Sequence, residues 1–262
     1  MKKVIRSGSV ILAIFLFLIS CGRQSKQNNQ QEAEPAVQIE KPVINTLTEE
    51  DQSAGWELLF DGKTTNKWRG YNNDSFPEKG WHIRNGNLAV EHSGAGEEGF
   101  GGDIITIDTF ENFEFSLEFM VSKEGNSGIL YRVVEKEGVP IWHNAPEYQI
   151  LDDETYIEIS EMDMNTHLTG DNYDLHSSME KKLNPEGEWN HALIKINNNH
   201  VEHWLNGVKT VEYKIESPEW ETLVEKSKFK DYPDYGRVKS GHIGLQDHGH
   251  LIMFRNIKIR KL

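Results

Sequence analysis

Phe113-Glu-Phe-Ser-Leu-Glu-Phe-Met-Val121 decides the fold. In an extended chain Phe113, Phe115, Leu117, Phe119 and Val121 fall on one face, and Glu114, Ser116 and Glu118 on the other. A strict period of two describes a half-buried antiparallel strand with a wet side. The same alternation recurs outward from it. Trp81-His-Ile-Arg84 and Leu88-Ala-Val90 flank Asn85-Gly86, and His200–Leu205 and Val208–Tyr213 flank Asn206-Gly207. Asn-Gly between alternating runs marks a tight hairpin, because both turn residues need positive φ. His191–Ile196 reads as a further strand, running into a turn at Asn197-Asn-Asn199. One helix is expected: Ser217 as cap, Pro218 in the first position, and Trp220, Leu223 and Val224 on one face through about Lys228. Many short strands with a single short helix predict an all-β sandwich rather than a parallel α/β sheet.

The start of the chain has a different character. Lys2, Lys3 and Arg6 precede an unbroken apolar run from Val10 to Ile19. That run is too short to span a bilayer and suits a signal peptide over residues 1–20. Leu18-Ile-Ser-Cys21 follows and is similar to a bacterial lipoprotein signal, so Cys21, the sole cysteine, is the expected lipidation site. Residues 21–52 are polar, carry Pro35 and Pro42, and read as a lipidated Cys and flexible tether. Residues 53–262 suit one domain, long enough to bury roughly 70% of its unfolded-chain surface. The formal net charge is −14, and losing the signal would remove only positive charges. So acidic a chain repels phosphate backbones and anionic lipid: no nucleic-acid partner is expected, and membrane contact comes through the lipid anchor only. The residues after Cys21 are not acidic, which points to a periplasm-facing anchor in the cell envelope.

Several motifs in fixed order carry a resemblance. They are Gly55-Trp-Glu-Leu-Leu-Phe-Asp-Gly-Lys63, Asn126-Ser-Gly-Ile-Leu-Tyr-Arg132, Pro146-Glu-Tyr-Gln-Ile-Leu-Asp-Asp153, Gly187-Glu-Trp-Asn190, His203-Trp-Leu-Asn-Gly-Val208, Leu245-Gln-Asp-His-Gly249 and Phe254-Arg-Asn-Ile257. Together they resemble the 3-keto-disaccharide hydrolase domain family over roughly residues 53–262. The resemblance implies a concanavalin-like jelly-roll β-sandwich acting on glycosides oxidised at C3. The family usually shows a His shortly after its Leu-Asp pair, where Tyr156 or a neighbour stands here.

The residues themselves suggest where chemistry sits. Alternation puts Glu147 and Gln149 on one face of their strand, Asn126, Gly128, Leu130 and Arg132 on one face of theirs, and His242, Gly244 and Gln246 on one face of a third. If these strands share a sheet, the polar faces form a trough suited to sugar hydroxyls. Gln246, Asp247, His248 and His250 gather beside Gly249 at a strand end. Glu147, His248 and Asp247 are therefore the expected catalytic groups, with Asp247 orienting His248. Asn126, Arg132, Gln149, His203, Gln246 and Trp142 are expected to bind substrate. Tyr148 and Trp204 are further candidates for stacking on sugar, although a core position is the commoner fate of such rings. Arg132 could instead pair with Glu147, and His203, on an otherwise apolar face, could be a buried structural histidine. Glu147 and His248 could also hold one divalent metal ion, although no tight ligand spacing such as HExxH occurs. His82, His92, His143, His167, His176 and His191 carry no pattern.

A ketone at C3 acidifies the C2 proton, so elimination of the C1 aglycone followed by addition of water gives net hydrolysis of a glycoside or disaccharide. The alternative from another class is a non-catalytic glycan-binding jelly-roll module, since fold does not fix function. A retaining glucanase is a third possibility, requiring two carboxylates about 5–5.5 Å apart. Glu161-Met-Asp163 supplies one pair on a strand face, but Asn165-Thr166 stand where a further Glu is needed.

Overall fold

The computed structural model describes residues 43–93 and 99–262. The signal peptide, Cys21 and residues 22–42 of the tether lie outside the described residues. The strands, in chain order, are β1 (Glu57–Leu58), β2 (Trp68–Gly70), β3 (Trp81–Arg84), β4 (Asn87–Val90), β5 (Ile104–Thr106), β6 (Phe113–Val121) and β7 (Asn126–Val133). They continue as β8 (Glu147–Leu151), β9 (Trp189–Asn197), β10 (His200–Leu205), β11 (Val208–Lys214), β12 (His242–Leu245) and β13 (Ile252–Lys261). The helices are α1 (Glu49–Ser53), α2 (Asp153–Ile159) and α3 (Pro218–Lys226).

Two antiparallel sheets form a jelly-roll sandwich. The larger runs β11-β10-β9-β6-β13-β4-β3, with β1 added along β13; the smaller runs β2-β5-β12-β7-β8. As the alternation requires, Phe113, Phe115, Leu117, Phe119 and Val121 all point into the space between the sheets and are at most 5% exposed. From the smaller sheet Ile104, Ile129, Tyr148, Ile150 and Leu245 meet them in one core. On the outer face of β6, Glu114 pairs with Arg260 and Glu118 with Arg255, so even the wet side is laced by charge. Both Asn-Gly hairpins form as expected, with positive φ at Asn85, Gly86, Asn206 and Gly207.

Helix α3 starts where expected, on Ser217 as cap with Pro218 at its start. The expectation of one helix is too few. Asp152 caps α2 by accepting from the Thr155 N–H, and Thr48 with Asp51 forms a reciprocal capping box on α1. The boundary at residue 53 also moves. Asn45 is buried; its N–H donates to Asn256 Oδ1, its Oδ1 accepts from the Asn256 N–H, and its Nδ2 donates to Gly86 O. Residues 43–52, read as spacer for their polarity, are docked to the sandwich through these polar groups. Glu161 and Asp163 lie outside any strand, and Asp163 accepts from the Asn165 N–H at a 3-10 turn.

Candidate active site

The smaller sheet turns its second face outward, and its register sets out the site. Leu245 pairs with Ile104 and Ile129, and both partners face the core. One residue further along, Gln246 donates its N–H to Gly128 O, Gly128 pairs with Gln149, and the Tyr71 N–H donates to Asp103 O. Tyr71, Asp103, Gln246, Gly128 and Gln149 thus form one row across the outer face. Gly128 is essential to this row. A Cβ there would lie 2.1 Å from Glu147 Oε1, so the Glu147 carboxylate occupies the space a side chain would fill.

Beyond the row the face turns apolar. Ile105, Leu130 and Val133 are covered by Ile141 and Ala145. Ile141 comes close enough that a Cβ on Gly244 would sit 2.9 Å from its Cδ1. The next residue, Trp142, stands at the edge of the open region. A cavity of about 450 Å³ remains, floored by Asn126, Glu147, Gln149, Gln246 and His248 and walled by Trp142. Tyr156, Met162, Met164, His167, Tyr173 and Lys228 close its other sides.

Within it, Gln149 is 2% exposed and donates its amide to Asn126 Oδ1 at 3.1 Å. Its own carbonyl oxygen is buried and has no hydrogen-bond partner among the described residues. Burial pushes the Glu147 carboxyl up to about 8, with the Lys228 ammonium acting against the shift and the Asp103 carboxyl adding to it. Lys228 Nζ lies 4.5 Å from the ring centre of Trp142 and 4.2 Å from that of Tyr173. Desolvation lowers its pKa, partly offset by Glu147 and Asp174.

Six of the expected residues therefore meet: Glu147, His248, Asn126, Gln149, Gln246 and Trp142. Three do not. Arg132 has a φ of 58°, and two residues, Tyr131 and Arg132, stand opposite Ile243 between the pairs His242–Val133 and Gly244–Leu130. This bulge breaks the alternation that put Arg132 beside Asn126. Its guanidinium donates instead to Gly236 O, Asn198 O and Asn199 Oδ1, none of which lines the cavity. His203 is fully buried between the sheets, with Nε2 2.9 Å from the Tyr131 hydroxyl and Nδ1 3.2 Å from Gly170 O. Burial takes its pKa down to about 3, so it stays a neutral structural histidine. Asp247 accepts from the N–H groups of Gly101 and Gly249, and a Cβ on Gly99 would fall 1.9 Å from its carboxyl carbon. It fastens the glycine loop, and the charge of His248 acts to lower its pKa against the effect of burial. Tyr148 lies in the core and Trp204 on the larger sheet, so of the three expected rings Trp142 lines the cavity, with Tyr156 and Tyr173.

Lys228, Tyr173 and Asp103 went unnoticed in the sequence. Lys228 follows α3 in a polar stretch with no motif around it. Asp103 precedes a three-residue strand whose register only pairing reveals. As for a metal, the group of three His, Asp or Glu ligand atoms within 4.8 Å of one another, among the described residues, is His200, Glu202 and Glu212 on the larger sheet. Glu147 and His248 are not part of that group, and no step is routed through a metal.

Residues 55–260 match the model of the 3-keto-alpha-glucoside-1,2-lyase-like domain. The chain belongs to this family. A relative from Bacteroides thetaiotaomicron named 3-keto-disaccharide hydrolase is 35% identical over 291 aligned positions, covering 100% of both chains. A crystal structure of a candidate glycosyl hydrolase from Parabacteroides distasonis is 33% identical with a TM-score of 0.76, covering 84% of this chain and 100% of that one. A second from the same organism is 28% identical with a TM-score of 0.60, covering 79% and 99%. Membership in the family extends over the sandwich, including every strand that floors the cavity.

Proposed function

We infer that the chain is a glycoside-cleaving enzyme, and we propose that its substrates are glycosides carrying a ketone at C3. The observation that carries the reading is the Glu147 carboxylate, buried over Gly128 beside an unpartnered amide oxygen and a lysine. A general base works best when its pKa lies near the operating pH, and burial has moved this carboxyl there. In its ionised form Glu147 takes the C2 proton. The electron pair moves to the C3 oxygen, and the Lys228 ammonium stabilises that enolate. Collapse of the enolate breaks the C1–O bond, and the proton on Glu147 passes to the departing oxygen. Water then adds across the new double bond, hydroxyl to C1 and proton to C2, giving the free 3-keto sugar. His248, at the cavity floor, is placed to guide that water, and Gln149, Gln246 and Asn126 to hold hydroxyls.

The test is aglycone release from a 3-keto-glucoside, with the unoxidised glucoside beside it and both repeated with chelator. Release from the oxidised substrate alone supports the reading. Binding of either sugar without product supports a glycan-binding module instead. We also propose that Cys21 is lipidated and tethers the enzyme, periplasm-facing, in the bacterial envelope; the apolar run ending at Ile19 supports this. Loss of fatty-acid labelling in Cys21→Ser is the expected result, and retained labelling would reject it.

A further inference from the structure

The row across the smaller sheet does not end at the cavity. Four strand intervals at about 4.8 Å make it roughly 19 Å long, and the Glu147 cavity takes up only its β7–β8 half. A second hollow of about 600 Å³ covers the β2–β5 half, lined by Tyr71, Asn72, Lys79, Phe100 and Asp103 among others. The two share a wall. Ile141 lines one and Trp142 the other, and Asp103 lines one while Gln246 lines the other. Asp103 is bound at this boundary, where its Oδ1 accepts the Asp247 N–H at 3.0 Å. The hollow has the two features sugars need. Phe100 is 56% exposed at its rim, an apolar ring in water beside polar groups. Asn72, Lys79 and Asp103 supply hydrogen-bonding groups for hydroxyls. Nothing in the elimination chemistry uses this half of the trough.

Resting on the proposed function, we propose that the β2–β5 hollow is the subsite for the leaving sugar, with Phe100 as its stacking platform and Asp103 as its hydroxyl ligand nearest the scissile bond. The keto ring then sits over Glu147, and the glycosidic bond crosses near Gln246. The Asp103 carboxyl, raised to about 7 by burial, can both accept and donate to a hydroxyl near neutrality.

The experiment compares a 3-keto-glucosyl disaccharide with a 3-keto methyl glucoside, which share the reacting ring but differ in leaving group. For Phe100→Ala and Asp103→Asn, KM for the disaccharide should rise about tenfold or more, roughly the contribution of one stacking or polar contact. For Phe100→Ala kcat/KM for the methyl glycoside should stay within about twofold; Asp103→Asn, which also removes a charge that raises the Glu147 pKa, should cost the disaccharide several-fold more than the methyl glycoside. Asn keeps the acceptor for the Asp247 N–H, so that variant should fold. Equal losses on both substrates, or no loss on either, would overturn the proposal. Should the wild type cleave neither, the proposed function fails separately. The subsite is then judged by saturation-transfer NMR with unoxidised disaccharide. Disappearance of the transferred sugar signal in Phe100→Ala upholds it, and an unchanged signal rejects it.

Discussion

Burying the Glu147 carboxyl over Gly128 ties the pH dependence of activity to that of stability. As a base it must be ionised, so kcat/KM should climb with pH and level off near the folded-state value of about 8. Glu147→Gln should remove that rise and lower turnover about 10²–10⁴-fold. Stability runs the other way. The folded pKa is above the ordinary carboxyl value, so the folded protein holds a proton that the unfolded chain has lost. Glu147 therefore costs nothing below about pH 4 and destabilises increasingly from there to about pH 8. Urea midpoints should show Glu147→Gln matching the wild type at acid pH and exceeding it at pH 8. A variant no more stable at pH 8 would mean that the carboxyl is not held in its neutral form. Gly128 offers a complementary probe. In Gly128→Ala the new methyl meets the carboxyl and the Cγ of the buried Glu147, so the side chain must move as a whole. Such overpacking should cost about 1–3 kcal/mol, and displacement of a catalytic group by an ångström can cost about 100-fold in rate. Circular dichroism melts and turnover measured on one preparation check both halves.

Arg132 shows what alternation can and cannot reveal about an element. Period two assigned the core face of β6, both hairpins and the polar face of β8 correctly, because side chains on a regular strand have no other choice. It failed at β7 where a bulge adds a residue, and no residue in Leu130-Tyr-Arg-Val announces that extra step. The neighbouring strand β8 shows why Glu147 and Gln149 were legible while Lys228 was not. A strand carries its neighbours in register, whereas the segment after α3 is brought over the sheet by tertiary packing alone. Helix α2 and its Asp152 cap are absent from the sequence reading. For Arg132 the structure predicts a staple rather than a site. Arg132→Met would leave Gly236 O and Asn198 O without their donor, at a cost of about 3 kcal/mol. The folded fraction should keep its kcat. A drop in kcat at unchanged stability would return Arg132 to the active site.

The whole molecule begins earlier than its motifs suggest. Polarity assigned residues 43–52 to the spacer, since no apolar period marks them. Yet Asn45 is held by three hydrogen bonds joining this segment to the β13 bulge at Asn256 and to the β3–β4 turn. The fit is close, since a Cβ on Gly62 would fall 2.6 Å from Asn45 Nδ2. Asp51, in the capping box of α1, is also bonded to Lys258 at 2.6 Å, so its carboxyl is held below the ordinary value. Only the buried Asn45 bonds enter the estimate, because the ion pair is only partly buried and remains screened by solvent. At about 1 kcal/mol each they contribute about 3 kcal/mol, and in a domain of this size that corresponds to a melting shift of about 6–12 °C. A chain starting at Val43 and one starting at Ala54 should therefore differ by that much, with Asn45→Ala reproducing most of the gap. Neither change reaches the trough, so kcat at 25 °C should be alike in all three. Equal melting temperatures for the two truncations would mean that the segment rests on the sandwich without stabilising it.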